Sequence, residues 1–215
     1  MSSHGPLHVR APLPPEEVLR ARVKAELRKR LRGLRKTTPR VACAERSARI
    51  VEQLAGLEPV RNARTLALFW PIEDKHEVDL RPLDASLRAR GVRVAYPVVL
   101  ESGEMIFRFV DDPAGMVEHA LGFLAPSDDS PTADALDVIV VPAIALDPTG
   151  QRIGYGAGFY DRALASHPGA ATVGVAYDFQ LVPEVAATSG DVPVQWVVTD
   201  RRVLRASPDA ALAPS

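Results

Sequence analysis

The chain carries three glycines at alternate positions, Gly154, Gly156 and Gly158. They lie in the run GQRIGYGAGFYDR, residues 150–162. Glycines this closely spaced let the backbone approach a ligand and turn successive N–H groups toward one anion. Arg152 adds a cation before the glycines, and Asp161 adds a carboxylate for a divalent ion that bridges phosphates. The combination predicts a phosphate-binding loop with a metal ligand beside it. The alternative is a flexible turn with a solvated aspartate.

Two familiar phosphate-binding loops do not match this run. A P-loop reads GxxxxGK followed by Ser or Thr, and that string does not occur in the chain. A dinucleotide fingerprint reads GxGxxG, whereas residues 154–158 read GxGxG. Before the loop, Val138–Val141 is a short β-branched run between Asp137 and Pro142, which is typical of a buried strand. The sequence therefore predicts a phosphate loop of another type that follows a buried strand.

The first predicted helix is strongly basic, because Arg20–Lys36 contains nine Lys or Arg residues and one acid. Its apolar residues are spaced to share one face, which we expect to be buried: Val23, Leu27, Leu31 and Leu34. At 100° per residue, the basic residues of one narrow sector beside that face are Lys24, Arg28 and Arg35. Such a sector can reach over a cleft, whereas Arg22 and Lys29 point elsewhere. A solvated charged face and a nucleic-acid-binding arm are the alternatives.

Strands and helices alternate from Thr65 onward. The predicted strands are Thr65–Trp70, Val92–Tyr96, Met105–Val110, Asp137–Val141, Thr172–Ala176 and Val194–Val198, with a helix at Val78–Arg90. A second helix before them is expected to bury Val41, Ala44, Ile50, Val51 and Leu54. Asp111–Asp134 is expected to be irregular. The alternation predicts the α/β class, as a three-layer α/β/α sandwich with a mainly parallel sheet in a single domain.

Composition limits the class of protein further. The chain has 215 residues, a formal net charge of −1 and one cysteine, so no intramolecular disulfide is possible. It lacks an apolar run of the roughly 20 residues that span a bilayer. We expect a cytoplasmic monomer without nucleic-acid or membrane partners. The expected organisation is a disordered extension at 1–15, one domain at 16–205 and a disordered tail at 206–215.

The glycine loop and its preceding strand resemble the 5-formyltetrahydrofolate cyclo-ligase (5,10-methenyltetrahydrofolate synthetase) family. Members carry a strand ending in a V-P-G-like turn, then an Arg-Leu-Gly-x-Gly-x-Gly-Tyr-Tyr-Asp loop; this chain reads VVPAIALDPTGQRIGYGAGFYDR. The resemblance implies conversion of 5-formyltetrahydrofolate to 5,10-methenyltetrahydrofolate, with ATP and Mg²⁺ required and ADP and phosphate released. It also implies a three-layer α/β fold, in agreement with the alternating pattern.

The resemblance assigns the phosphate side of the site. The family's first helix resembles K-x-x-x-R, whose Lys and Arg touch ATP phosphates, and Lys24 and Arg28 occupy those positions. With Arg152 they are the expected catalytic cations. The expected ATP-binding loop comprises Arg152, Ile153, Gly154, Tyr155, Gly156, Ala157, Gly158, Phe159 and Tyr160.

The resemblance also assigns the folate side. Glu77 matches the Glu of the family's Glu-Val-Asp-Thr segment, which contacts the folate, and a carboxylate can accept two parallel N–H bonds from a pterin. The ring is expected to pack against Trp70, Ile72, Tyr155 and Phe159. The alternatives are that Glu77 is an acid at a helix start and that Trp70 is a core residue.

The expected metal ligands are Asp161 and Asp191, the latter in a segment that resembles the family's Asp-x-Pro-Val. An Asp that caps a turn is the alternative for Asp191. The loop departs from the family pattern at three positions, Tyr155, Ala157 and Phe159, where relatives often carry Arg, Gly or Lys, and Tyr. These departures leave open an inactive or divergent relative that binds a nucleotide or RNA through its basic helix. A different ATP-using ligase or kinase on the same scaffold is a third possibility.

Overall fold

The computed structural model describes residues 14–120 and 122–207. The helices are α1 (Pro15–Thr37), α2 (Arg40–Gly56), α3 (Glu58–Asn62), α4 (Arg81–Ala89) and α5 (Phe159–Ala165). The strands are β1 (Thr65–Ala67), β2 (Arg93–Val99), β3 (Met105–Phe109), β4 (Val117–Glu118), β5 (Leu124–Ala125), β6 (Val138–Pro142), β7 (Ala145–Leu146), β8 (Arg152–Ile153), β9 (Ala171–Val175), β10 (Trp196–Val198) and β11 (Val203–Arg205). Short 3₁₀ turns cover Glu73–Lys75, Pro113–Gly115 and Asp178–Gln180.

Seven strands form one sheet in the order β11-β10-β9-β6-β1-β2-β3. The five central strands are parallel, and β3 and β11 pair antiparallel at the two edges. From β1 the chain adds β2 and β3 on one side, then crosses to β6 and adds strands on the other. The order therefore reverses between β1 and β6, where open α/β sheets leave a crevice at the carboxyl ends of their strands.

Helices cover both faces of the sheet, which makes three layers. Along β6, Val138 and Val140 belong to one core cluster, while Ile139 and Val141 belong to the other, as the two-residue period of a strand requires. The first cluster includes buried residues of α2, α3 and α4, and the second includes Ala163 and Leu164 of α5. The predicted α/β class with a mainly parallel, doubly covered sheet is confirmed.

The first two helices are rotated relative to the expected faces. In α1 the buried residues are Lys24, Leu31 and Arg35, whereas Val23 and Leu34 are exposed. The prediction of an apolar buried face is therefore wrong for those two residues, because α1 packs its basic sector against the rest of the protein. In α2 the buried residues are Cys43, Ser47, Ile50 and Leu54. The expected burial of Val41 and Ala44 is wrong; both are exposed.

Three element boundaries differ from prediction. The strand predicted over Thr65–Trp70 ends at Ala67. Leu68 still donates its N–H to Ala95, but the next bond of the ladder would need an N–H from Pro97, which has none. The helix predicted from Val78 begins at Arg81, with Leu80 as its N-cap and a proline in its first turn, and the Asp79 side chain accepts the Arg81 N–H at 3.0 Å. The last parallel strand begins at Trp196 rather than Val194.

The region expected to be irregular, Asp111–Asp134, contains the small β4–β5 hairpin as well as a 3₁₀ turn. The predicted extension at 1–15 and tail at 206–215 lie outside the described residues, except for Pro14, Pro15, Ala206 and Ser207. Pro15 is already the first residue of α1. Within residues 14–120 and 122–207, none of the helices is long and apolar enough to cross a membrane.

Candidate active site

A cavity of about 610 Å³ opens at the carboxyl ends of β1, β2 and β6. Phe69 follows β1, Pro97 and Val99 belong to β2, and Pro142 ends β6, so the cavity lies where the strand order reverses. All of the predicted site residues line it: Lys24, Arg28, Trp70, Ile72, Glu77, Arg152, Ile153, Gly154, Tyr155, Gly156, Ala157, Gly158, Phe159, Tyr160, Asp161 and Asp191. The structure thus brings together residues that come from four separate stretches of sequence.

The β7–β8 hairpin presents the glycine loop to this cavity. Asp147 holds the hairpin turn, since its Oδ1 accepts the N–H groups of Thr149 and Gln151 at 2.9 and 3.1 Å. Beyond β8 the backbone has φ angles of 110° at Gly156 and 67° at Gly158, which residues with a Cβ rarely adopt. Arg28 then clamps the loop, because its Nε donates to the Gly154 carbonyl at 2.8 Å.

Arg152 is a buried cation with unused hydrogen-bonding capacity. It is 6% exposed, and its Nη1 donates to Oδ1 of Asp161 at 2.9 Å. Its Nη2 is buried without a hydrogen-bond partner among the described residues. Burial lowers the pKa of Arg152, although the Asp161 carboxylate opposes that effect. An unsatisfied buried N–H is costly, and Arg152 lines the cavity, so an anionic ligand that reached this group would satisfy it.

The two predicted metal ligands each keep one oxygen available. Asp161 Oδ1 accepts from Arg152 and from the Val192 N–H, and Asp191 Oδ2 accepts from Lys24 and from the Thr188 N–H. In the described part of the chain, the other oxygen of each carboxylate has no hydrogen bond, and no cluster of three His, Cys, Asp or Glu residues could hold a metal ion.

Asp191 both caps a turn and lines the cavity. Its Oδ2 accepts the N–H and the hydroxyl of Thr188 at 2.6 and 3.0 Å, as the turn-capping alternative requires. The same oxygen also pairs with the Nζ of Lys24. Burial alone would raise the pKa of Asp191, but the hydrogen bonds from Lys24 and Thr188 outweigh it and lower that pKa. The carboxylate is therefore ionised beside the lysine of α1.

Glu77 is a buried carboxylate in the wall of the cavity. It is 8% exposed, its Oε2 accepts the Ile72 N–H at 3.0 Å, and its Oε1 accepts the Tyr155 hydroxyl at 2.5 Å. Because α4 begins at Arg81, Glu77 is outside its first turn, and the interpretation as a helix-start acid is wrong. Trp70 lines the cavity, as expected of a residue that contacts the substrate. It also packs edge-on against the core residue Tyr96, with ring centroids 5.8 Å apart, as the alternative of a core residue requires.

Sequence reasoning missed several residues of the cavity wall. Met105, Phe123, Thr188 and Lys75 line it as well. Lys75 lies in the turn that follows β1, and its position after the carboxyl end of a parallel strand was a usable signal. Phe123 comes from the β4–β5 hairpin, whose placement depends on tertiary packing that no local pattern shows.

The reversed strand order defines an open α/β protein with a cavity at the switch point, where proteins of this class bind ligands. The model of the 5-formyltetrahydrofolate cyclo-ligase family matches residues 20–200, and the chain belongs to this family. The predicted family membership, and with it the prediction of a ligase, is confirmed.

Individual relatives agree with the family match. The 5-formyltetrahydrofolate cyclo-ligase of Escherichia coli K12 is 35% identical over 152 residues, which are 67% of this chain and 82% of that protein. The enzyme of the same name from Mycolicibacterium smegmatis is 31% identical over 195 residues, or 84% of this chain and 95% of the relative. The solved structure of Aquifex aeolicus 5,10-methenyltetrahydrofolate synthetase superposes with a TM-score of 0.77 at 31% identity, covering 89% of this chain and 97% of that one.

Proposed function

We propose that this protein converts 5-formyltetrahydrofolate to 5,10-methenyltetrahydrofolate at the expense of ATP, with Mg²⁺, ADP and phosphate as the other participants. The observation that carries the proposal is a single cavity lined by two chemically different sets of side chains. Lys24, Arg28 and Arg152 supply cations, and Glu77 and Trp70 supply a carboxylate and an aromatic surface. The names of the relatives support the same reaction.

The chemistry of the reaction explains why the cavity needs both the cations and the carboxylate with its aromatic neighbour. The formyl oxygen of an amide is a poor leaving group, so its attack on the γ-phosphorus of ATP, with release of ADP, makes it a good one. N10 then attacks the activated formyl carbon and closes the ring, N10 loses its proton, and the C–O bond breaks with release of phosphate. Neither step requires a protein nucleophile. The protein contributes by positioning the two substrates and by stabilising the charge that develops on the transferred phosphoryl group.

Arg152 is the residue best placed for the phosphate charge. Its free Nη2 is already desolvated, so an accepting phosphate oxygen would gain a hydrogen bond without first displacing water from the donor. Lys24 and Arg28 extend this cationic wall from α1, where both line the cavity. The backbone N–H groups of the glycine loop complete the proposed phosphate site.

Asp161 and Asp191 suit a magnesium ion. Mg²⁺ in phosphate-transfer sites takes one or two carboxylates together with waters and phosphate oxygens, so a larger cluster of protein ligands is unnecessary. Each of the two aspartates has one carboxylate oxygen without a hydrogen bond in the described part of the chain, and both line the cavity beside Arg152. When bound there, the ion would neutralise phosphate charge.

Glu77 is proposed to orient the pterin ring. Each of its oxygens accepts one hydrogen bond from the protein, from Ile72 on Oε2 and from Tyr155 on Oε1. A carboxylate oxygen has two lone pairs, so acceptor capacity remains for the paired N–H groups of the pterin. Trp70 and Phe159 provide the apolar walls against which the ring would pack.

The experiment is to incubate the purified protein with 5-formyltetrahydrofolate and Mg-ATP and to follow the absorbance of the methenyl product. Lys24→Ala and Arg28→Ala should each raise the KM for ATP and lower kcat, because both remove charge from the phosphate wall. Arg22→Ala, an exposed cation of the same helix, is the matched control and should leave both constants unchanged. Absence of product with the wild type, or RNA binding that depends on Arg22 as much as on Lys24, would contradict the proposal.

A further inference from the structure

Tyr155 connects the glycine loop to the buried carboxylate of Glu77. Its hydroxyl donates to Oε1 of Glu77 at 2.5 Å and accepts from Nη2 of Arg35 at 2.6 Å. The Arg35 Nη2 and Glu77 Oε1 atoms are themselves 3.8 Å apart, so the phenol oxygen hydrogen-bonds to both members of the ion pair. Helix α1, the turn after β1 and the loop after β8 therefore meet at one oxygen atom.

The hydroxyl adds hydrogen bonds to a buried ion pair. The side chains of Arg35 and Glu77 are each 5% exposed, and ions removed from water to this degree need hydrogen bonds to offset the lost hydration. Burial, together with the Glu77 charge, raises the pKa of Tyr155 above its ordinary value. The phenol consequently keeps its proton at neutral pH and donates it toward Glu77, which fixes the orientation of that carboxylate.

The same tyrosine is part of the proposed phosphate loop. Gly154 and Gly156 flank it, and Arg28 holds the loop through the Gly154 carbonyl. The Tyr155 ring is also held, since the Nζ of Lys75 lies 4.6 Å from its centroid. Any shift of the loop onto a phosphate group would therefore move the hydroxyl relative to Glu77.

We propose that Tyr155 is a positioning residue that sets the Glu77 carboxylate for 5-formyltetrahydrofolate and couples folate binding to phosphate binding by the glycine loop. This inference rests on the proposed function. Coupling of this kind is reciprocal, so a nucleotide that orders the loop should tighten folate binding, and folate should tighten nucleotide binding by the same factor.

The test is Tyr155→Phe, which removes the hydroxyl and keeps the ring over Lys75. We would titrate 5-formyltetrahydrofolate into wild type and variant, with and without a saturating non-hydrolysable ATP analogue and Mg²⁺. In the wild type the analogue should lower the folate Kd about 5-fold or more. In the variant the folate Kd should rise about 10-fold and the effect of the analogue should disappear. In steady state the KM for folate should rise more than kcat falls.

Two further variants separate positioning from a general structural effect. Tyr96→Phe removes an equivalent tyrosine–carboxylate hydrogen bond in the core, to Asp84, and should leave folate Kd and coupling unchanged. In a Glu77→Gln background, Tyr155→Phe should add nothing to the loss of folate affinity, because the tyrosine acts through Glu77.

The outcomes distinguish this inference from the proposed function. A wild type that binds no 5-formyltetrahydrofolate and forms no methenyl product overturns the proposed function, and this inference with it. An active wild type with a Tyr155→Phe variant of unchanged folate Kd and unchanged coupling overturns this inference alone. A Tyr155→Phe variant with a lower melting temperature but intact coupling also overturns this inference, because the hydroxyl would then have only a structural role.

Discussion

The protein contains the same trio of side chains, a tyrosine, a carboxylate and an arginine, in two different settings. In the core, the Tyr96 hydroxyl donates to Asp84 at 2.7 Å, and the Arg88 Nε donates to both Asp84 oxygens at 2.9 Å. At the cavity, the Tyr155 hydroxyl likewise donates to Glu77, but Arg35 donates to the Tyr155 hydroxyl and lies 3.8 Å from the carboxylate. Tyr96 is 1% exposed, whereas Tyr155 is 39% exposed.

The two trios differ in which elements supply them. Asp84 and Arg88 are one turn apart on α4, and Tyr96 lies on β2, the strand against which α4 packs. That trio joins neighbouring elements, and none of its three residues lines the site cavity. The members of the other trio come from α1 and from two separate loops, and two of them, Glu77 and Tyr155, line the cavity. The same three residue types therefore stabilise the fold in the core and can respond to a ligand at the cavity.

The largest expected effect distinguishes the two carboxylates. Glu77→Gln keeps the side-chain shape but replaces an acceptor with a donor, where the pterin also donates. Loss of a charge-assisted hydrogen bond of about 1.5 to 3 kcal/mol corresponds to about a 10- to 150-fold fall in kcat/KM for 5-formyltetrahydrofolate. The KM for ATP should change little, because the cations that contact phosphate are untouched. Steady-state kinetics with each substrate varied in turn measure both constants.

Asp84→Asn is the matched change in the core. It weakens the bonds from Tyr96 and Arg88, so the free energy of unfolding should fall by about 1.5 to 3 kcal/mol. The folded fraction should keep its kcat/KM. Equal losses of activity in the two variants would show that the trios do not differ in function, and the comparison would fail.

The second expected effect is a difference in the free energy of unfolding between variants of the two tyrosines, Tyr96 and Tyr155. Tyr96→Phe leaves a fully buried carboxylate with one donor fewer and should lower the free energy of unfolding by about 1 to 2 kcal/mol. Tyr155→Phe should cost less than about 1 kcal/mol, because Arg35 and Glu77 are close enough to pair directly once the hydroxyl is gone. Urea unfolding of both variants gives the values, and a larger loss for Tyr155→Phe would assign it a structural role.

The local parts of this arrangement could be predicted from the sequence. The β-branched run Val138–Val141 and the glycine loop after it carry their structural reasons within a few residues, and both are found as expected. The helical period also places Lys24, Arg28 and Arg35 in one sector of α1. These features depend on backbone preferences and periodicity, which a single sequence shows directly.

Contacts between distant segments could not be predicted. Tyr155 is 78 residues from Glu77 and 120 residues from Arg35, and no local pattern links them. The side that α1 buries is a second example, because an apolar stripe at Val23 and Leu34 predicts the wrong face. Packing over a ligand cavity instead buried the cations beside that stripe, which illustrates how a site can override the rule that apolar residues lie inside.

The smallest effect appears only in alkaline solution. It concerns the titration of Tyr96, the tyrosine of the buried core trio. Burial, with a further contribution from Asp84, raises the pKa of Tyr96 above its ordinary value. The unfolded chain loses this proton near pH 10, whereas the folded protein retains it, so the contribution of Tyr96 to stability is complete below about pH 10 and is lost as the pH rises further. One retained proton corresponds to a slope of about −1.4 kcal/mol per pH unit in the free energy of unfolding. The free energy of unfolding of Tyr96→Phe should therefore be lower than that of the wild type at neutral pH but should fall less steeply over roughly pH 10 to 11. Urea unfolding of both proteins at each pH measures it. Parallel curves for the two proteins would mean that the Tyr96 hydroxyl titrates normally in the folded state and is not sealed from water.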